Sequence, residues 1–513
     1  MQIIYEIKYN SRSEYIRKII NELILEEKIK AQCKQCNGYI YIIAQDSAEA
    51  IEHFFQCLEE KLPLSIFMES SRVIETIPEE ITFLPLENVQ PTLCLSNDAV
   101  VELIKNNDHS QAKNAQEIAA GKIVQLHTSN GLKYFAKPSA INRKKLEAVS
   151  KNVNMFIANT HAFESMLSLN QKEVQLLCSI ERPLVKLKLN FQANNQNQYS
   201  TTNYIYAKMP YDKESFLLAY EIKELGFDAL IYCSSENVNE EIKVNYMEEK
   251  TFIVEGNSGL FPKYDYNAQK VFNTSREYFD FYEGVFKATL SEYNKRINST
   301  IGVYFTTQNS KSEIAVNTPS LGKKTIIEVP NIHLNLQINL EEIGDLDENT
   351  PRLIVNYKKR FPKLFENMDL IFEESSGFES IIHLCAYLLG MKSSKEFEAA
   401  ASNCSVKSGI NIDMRIIKLN GVNYLDYRRT VQSMMSYKLA DVPNDLLAFS
   451  FYESLSEFIS NQANTLKNEL NINDIVLCGN LFANTTLLEK SYKALTKTFN
   501  VILPKEYPLD FND

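Results

Sequence analysis

Tryptophan is absent from the 513 residues, and histidine is nearly so, at six. The scarcity of histidine limits metal chemistry first. A helix-borne metal pair needs histidines at i and i+4, yet none of His53, His109, His127, His161, His333 and His383 lies within two helical turns of another. Basic excess is lacking too, for the net charge is −11. That argues against nucleic acid as the main partner, because a phosphate backbone attracts a basic footprint. No apolar run reaches the roughly 20 residues that cross a bilayer, so membrane insertion is not expected. The opening MQIIYEIKYN has neither a basic start nor a long apolar core, and no signal peptide is expected. Nine scattered cysteines, odd in number, suggest no disulfide framework and fit reduced thiols. A cytoplasmic protein is the expectation.

What remains is ordinary for a globular chain. Hydrophobic residues make up 44 % and charged ones 23 %, enough for sizeable cores. The length predicts about three domains in a mixed α/β (α+β multidomain) chain. Residues 1–75 read as IIYEIKYN strand, SEYIRKIINELILEE helix with Ser13 as N-cap, YIYIIAQ strand, SAEAIEHFFQCLEEK helix capped by Ser47, and SIFMESSRVIE strand. These three strands and two helices are read as the βαββαβ ferredoxin-like arrangement. Cys33-x-x-Cys36 invites a zinc reading, but a structural site needs four ligands, usually two such knuckles. Only one pair is present and Cys57 shows no neighbour at ligand spacing, so ordinary cysteines near a strand are expected.

Residues 76–265 alternate helices and strands, and 266–300 form a helical connector with a stripe of apolar and aromatic residues. The most informative stretch closes the chain: INDIVLCGNLFANTTLLEKSYKALTKTFNVIL reads as strand (475–478), Gly479-Asn480 turn, amphipathic helix and second strand. Glycine and asparagine tolerate positive φ and are expected to leave backbone N–H groups free. A helix starting beyond such a turn offers its positive end to an anion, typically a phosphate. The alternative is a βα turn without a ligand.

VLCGNLFANTTLLEK resembles the SGGVFQN-x-x-L turn of the Kae1/HypF carbamoyltransferase domain, an ASKHA-type nucleotide fold, with Gly479, Phe482 and Asn484 on matching positions. Other stretches follow the same family. LEEIGDLDEN and PSLGKK resemble its S-Q-H-I-G-D-L-E-N and L-G-x-x-L-K-N patterns at Leu321, Gly322, Ile343, Gly344, Asp345 and Leu346. ESSGFESIIHLCAYLLGMKSSKEFEAAAS resembles its S-S-M-G-R-L-F-D stretch, with Ser375, Ser376, Leu388, Leu389, Gly390, Glu398 and Ala400 in place. The first domain resembles the acylphosphatase-like domain that opens HypF proteins. Its glycine-rich phosphate loop is replaced by YNSRSEY, with Arg12 the only basic residue beside it, so no acylphosphatase chemistry is expected.

The middle region resembles the YrdC-type domain, which makes carbamoyl-adenylate from carbamoyl phosphate and ATP. AAGKIVQLHTSNG, QKEVQLLCSIERPLVKLKL and YAKMPYDKESFLLAYEIKELGFDALIYCSSENVNEE stand in the family's order. The resemblance implies nucleotide contacts from Arg182, Lys208, Ser234, Ser235 and Asn237, and in the last domain from Ser375, Ser376, Gly377, Gly479, Asn480 and Asn484. INRKKLEAV offers Arg143, Lys144 and Lys145 where the family carries a basic loop. Arg182 could hold a phosphate bidentately or simply end a helix at the surface. ATP or another nucleotide is therefore the cofactor the resemblance implies.

One part of the family pattern is missing. Carbamoyl transfer there depends on a metal held by an H-H-x-A-H motif in an inserted sub-domain, and only 29 residues separate Asp345 from Ser375 here. No metal site is expected, and Asp510 and Asp513 in the tail EYPLDFND are expected in solvent. The implied organisation is 1–75 acylphosphatase-like, 76–265 YrdC-like, 266–300 connector and 301–513 truncated Kae1-like. Two functions follow. One is a pseudo-enzyme serving nickel–iron hydrogenase maturation, which binds the hydrogenase large subunit or its maturation proteins. The other is an active ATP-dependent carbamoyl- or adenylyl-transferase using the middle domain. A small-molecule sensor using the residual ATP-type cleft between the C-terminal lobes is a third.

Overall fold

The structure is a computed structural model that describes residues 1–11, 13–78, 81–84, 97–150, 152–195, 197–235, 242–255, 281–293, 295, 297–307, 312–320, 322–333, 335–366, 377–505 and 508–510. Arg12, Asn237, Leu321, Ser375, Ser376 and Asp513 lie outside the described residues. The chain divides into two compact units, Met1–Ser200 with Tyr204–Val271, and Thr201–Asn203 with Phe272–Asp513. Three sheets carry the architecture.

The first sheet holds β1 (Gln2–Tyr9), β2 (Ala31–Cys36), β3 (Gly38–Gln45) and β4 (Met68–Ile74) in the order β2-β3-β1-β4. With α1 (Tyr15–Glu26) and α2 (Ala48–Lys61) this is the expected βαββαβ order. Ser47 caps α2 by accepting from Ala50 N–H at 3.2 Å. Ser13 does not cap α1, whose N-cap is Glu14. Ser13 instead folds back, its N–H donating to Ser11 Oγ and its carbonyl accepting from the Gln35 amide. Cys33 and Cys36 sit three residues apart on β2, and strand alternation sends such a pair to opposite faces. They therefore share no ion. Burial pushes the Cys33 thiol up to about 12.

The second sheet is built from β5 (Val124–Thr128), β6 (Gly131–Ala136), β7 (Asn154–Ile157), β8 (Leu167–Ser168), β9 (Leu184–Leu189), β10 (Tyr204–Lys208), β11 (Ala229–Ser234), β12 (Lys243–Met247) and β13 (Lys250–Glu255). One face, with Met155, Val185, Ala207 and Ile231, shares a continuous core with Ile7, Ile20 and Phe54 of the first domain. The other face, with Phe135, Phe156, Leu184 and Leu230, packs under helices Ala112–Ala119 and Lys213–Glu224. Glu181 pins the first contact. Its half-buried carboxyl accepts from Ser65 Oγ (2.6 Å), Ile66 N–H (3.0 Å) and Tyr15 OH. Desolvation pushes that carboxyl up to about 8.

The third sheet runs β17-β18-β16-β15-β14-β19-β20, from β14 (Thr300–Tyr304), β15 (Glu313–Thr318), β16 (Gly322–Glu328), β17 (Ile416–Leu419), β18 (Val422–Leu425), β19 (Asp474–Cys478) and β20 (Asn500–Ile502). β14, β19 and β20 are parallel, while β14, β15 and β16 are antiparallel. Helix Phe281–Glu292, within the connector, packs close to β14. A Cβ at Gly302 would lie 2.7 Å from the Phe286 ring, so only glycine fits there. Among the described residues no helix is long and apolar enough to cross a membrane.

Candidate functional site

The closing stretch folds as strand, turn, helix and strand, with a short 3₁₀ turn Asn480–Ala483 before helix Thr485–Leu495. Because β14 and β19 run parallel with Tyr304 beside Cys478, both chains leave the sheet at one edge. There they lock together. Phe305 N–H donates to the Cys478 carbonyl at 3.0 Å, and Leu481 N–H donates to the Phe305 carbonyl at 3.1 Å. Gly479 has φ +98°, and a Cβ on it would stand 2.0 Å from the Phe305 oxygen. Glycine is obligatory at that approach.

The turn's N–H groups are not free, contrary to the sequence expectation. Gly479 N–H donates to the Leu509 carbonyl (2.6 Å), Phe482 N–H to Gly479 O (3.2 Å) and Asn484 N–H to Leu481 O (3.1 Å). Asn480 N–H donates to Asp510 Oδ2 at 3.1 Å. Asp510 is buried, at 3 % exposure, and also accepts from Tyr304 OH (2.9 Å) and the Thr306 hydroxyl. The expectation of a solvated tail carboxylate fails because the last described residues return to the sheet edge and satisfy the turn. Asn480 Oδ1 accepts from Thr307 N–H (2.7 Å) and Thr306 Oγ1 (3.2 Å), and its Nδ2 donates to Thr307 Oγ1 (3.0 Å).

Apolar packing seals the same place. The Phe305 ring is flanked by Phe378 (centroids 4.7 Å apart) and Phe482 (6.0 Å, stacked), all three buried. Gly377 (φ +54°) opens helix Phe378–Leu388 and donates its N–H to Asn331 Oδ1 at 2.8 Å. Phe378, which follows Gly377, and Phe482, three residues after Gly479, thus both pack against the Phe305 ring. Asn484 caps helix Thr485–Leu495 by accepting from Leu487 N–H at 3.1 Å, while its Nδ2 is buried without a partner. PSLGKK lies elsewhere. It links Thr318 to Gly322, beside the start of β14 and at the opposite end of the sheet from Gly479.

The residues do not fit the family's metal. Five of the six histidines have carboxylate partners, namely Glu27, Glu221, Asp228, Glu342 and Glu379, and none of these is Asp510.

The second sheet offers a different arrangement. Lys133 and Lys208 are both buried, at 0 % and 2 % exposure. Strand alternation puts Lys208 on the face of Tyr206, Lys133 on that of Phe135, and Ser234 on that of Tyr232. All three belong to the face packed under helix Lys213–Glu224. Lys133 Nζ donates to Ser234 Oγ at 2.7 Å. Lys208 Nζ stands 3.8 Å from the centre of the Tyr211 ring, whose hydroxyl donates to Thr128 Oγ1 at 2.8 Å. β7 aligns Phe156 with Lys208 and with Leu230, so Ser234 lies four residues further along β11, about 13 Å away along the strand direction.

The other expected cations go elsewhere. Arg182 (φ +46°) lies five residues beyond helix Gln171–Leu177, its Nη1 donating to the Leu177 carbonyl at 3.4 Å. Ser235 N–H donates to the Leu132 carbonyl at 3.2 Å. Arg143 is buried on helix Ala140–Glu147, which packs Leu146 into the core on the opposite face of the sheet. Its Nε and Nη1 have no hydrogen-bond partner, and Glu147 is 3.7 Å from Nε. Lys144 and Lys145 point to solvent.

Sequence reasoning passed over Lys133, Tyr211, Thr306 and Thr307. The Thr pair follows the apolar run TIGVYF, and Lys133 breaks the apolar alternation of GLKYFA; both were readable signals.

Residues 356–513 match the family described as "Carbamoyltransferase, Kae1-like Domain, second subdomain". The chain is 21 % identical to Protein HydE of Wolinella succinogenes, covering 97 % of each. Its fold matches the crystal structure of full-length HypF in the phosphate- and nucleotide-bound form, with a TM-score of 0.63 at 13 % identity over 99 % of this chain and 96 % of that one. It also matches the HypF of T. kodakarensis, at 0.62 and 11 % with the same coverage.

Proposed function

Because the chain is a HypF-type protein of the carbamoyltransferase family, we propose that it serves nickel–iron hydrogenase maturation by binding partner proteins, without transferring a carbamoyl group. The observation that carries this reading is the occupied turn at Gly479. An anion cradle works by presenting unpaired N–H groups, and here Leu509, Asp510, Phe305, Gly479 and Leu481 take them. A phosphate would have to displace the carboxylate of Asp510, and the rings of Phe305, Phe378 and Phe482 would have to part. The partner implied by the family is the immature hydrogenase large subunit or a maturation protein.

One observation favours a second reading, an ATP-dependent carbamoyl- or adenylyl-transferase in the second sheet. Two buried lysines, Lys133 and Lys208, stand on one face of the sheet there, together with Ser234. Carbamoyl-phosphate-dependent release of pyrophosphate from ATP separates the two, measured beside an active HypF. The expected result is no release above background, together with co-purification of the chain and a hydrogenase large subunit. Release that vanishes in Lys208→Met would overturn the binding-protein reading in favour of the transferase.

A further inference from the structure

We propose that the first domain carries a binding site for a zinc-type divalent cation, formed by Glu27, His53 and Cys57. The site is separate from the turn at Gly479 and from the lysine face. α2 places His53 and Cys57 one turn apart on one side, and the Cys57 sulfur lies 3.7 Å from His53 Nε2. Glu27 ends α1 and brings its Oε2 to 3.3 Å from the same nitrogen. All three ligand atoms lie within 4.8 Å of one another.

These separations match a tetrahedral ion. Metal–sulfur bonds of about 2.3 Å and metal–nitrogen or metal–oxygen bonds of about 2.0–2.1 Å require edges of roughly 3.5 Å between S and N and 3.3 Å between N and O. The side chains are thus close to ligand spacing with little rearrangement. The two helices are fixed by their buried sides, Ile20, Leu23 and Ile24 on α1 and Ile51, Phe54 and Leu58 on α2. Lys61 steadies the carboxylate from behind, its Nζ lying 3.5 Å from Glu27 Oε1 and 3.1 Å from Glu26 Oε2. That leaves Oε2 facing the imidazole. Outer partners of this kind orient ligands in metal sites.

Thiolate, imidazole and carboxylate together select zinc, cobalt, nickel or copper over magnesium and calcium. Three protein ligands leave the fourth position to water or to a donor from another molecule. Binding forms a metal–sulfur bond and releases the thiol proton to solvent. The sequence reading gave Cys57 no neighbour at ligand spacing, although His53 stands one helical turn before it.

Titrating the full chain with cobalt(II) reads the site directly. The expected result is one ion per chain, a thiolate-to-cobalt charge-transfer band, intense tetrahedral visible bands, and displacement of both by zinc(II). Cys57→Ser should remove the charge-transfer band, and His53→Gln should weaken binding by roughly tenfold or more. Both positions are at the surface, so the folded domain should keep its far-ultraviolet circular dichroism. Cys33→Ser and Cys36→Ser should leave the band intact. A band that survives Cys57→Ser, or no cobalt binding by the unaltered chain, would overturn the proposal.

Discussion

The Gly479 turn and the lysine face of the second sheet descend from the same kind of expectation, a nucleotide contact, and end in opposite states. At the turn the backbone N–H groups of Gly479, Asn480, Leu481, Phe482 and Asn484 all have acceptors within the chain, and three aromatic rings pack beside them. On the lysine face, two ammonium groups are buried against a tyrosine ring and a serine hydroxyl. Hydrogen bonds to a carboxylate such as Asp510, which accepts three of them, stabilise the fold more than neutral ones. The turn has become structure, and the lysine face retains the chemistry of a site.

The contrast is broken most severely at Gly479. Gly479→Ala would put a methyl group into the Phe305 carbonyl at a φ that L residues rarely adopt, and it is expected to cost on the order of 3–5 kcal/mol. Chemical denaturation followed in the second unit reads this. A glycine needed for ligand approach rather than packing would give a stable variant.

The next effect separates the two units by pH. Glu181, in the first unit, has its carboxyl raised to about 8 by burial, so the folded state holds a proton that the unfolded state releases. Its contribution is full below the ordinary carboxylate range, near pH 4.5, and is lost as pH rises toward 8. The loss is on the order of a few kcal/mol. Asp347, in the second unit, is shifted the other way, chiefly by the hydrogen bond from Gln432 and then those from Thr350 and Arg429. Its contribution is present above the ordinary carboxylate range and is lost as pH falls toward acid. Melting curves from pH 5 to 8 should therefore shift for the first unit, and Glu181→Gln should flatten that slope. An unchanged slope would contradict the buried-carboxyl account.

Asp510→Asn comes next. It removes a charge that accepts from Tyr304, Thr306 and Asn480, and the expected loss is about 2–3 kcal/mol in the second unit. If the residue were a solvated tail carboxylate, the variant would be as stable as its parent. The smallest effect belongs to the lysine face. Lys208→Met gives up the contact with the Tyr211 ring, and the expected cost is about 1 kcal/mol. A large loss would make Lys208 structural and erase the contrast.

The architecture was readable because period-2 and period-3.6 patterns carry it. The three strands and two helices read in residues 1–75 and the closing strand–turn–helix–strand lie where those patterns put them, while β2 (Ala31–Cys36) was not among the strands read. Ser47 announced its cap by position alone. Ser13 misled because its backbone is held by Gln35 of β2, a partner distant in sequence. The site was less legible for the same reason. Gly479 and Asn480 are visible in the chain, but whether their N–H groups are free depends on Leu509 and Asp510, about 30 residues on. Likewise Arg143, Lys208 and Arg182 look like one basic set in sequence, and only strand alternation and helix packing place Arg143 on the far side of the sheet.

Hydrogen exchange of the segments spanning residues 300–307 and 474–484, with and without ATP, tests the closed turn most directly. The account expects slow exchange at Phe305, Thr307, Gly479, Asn480 and Leu481 that ATP leaves unchanged. Fast exchange that becomes protected when ATP is added would show a working cradle and contradict it.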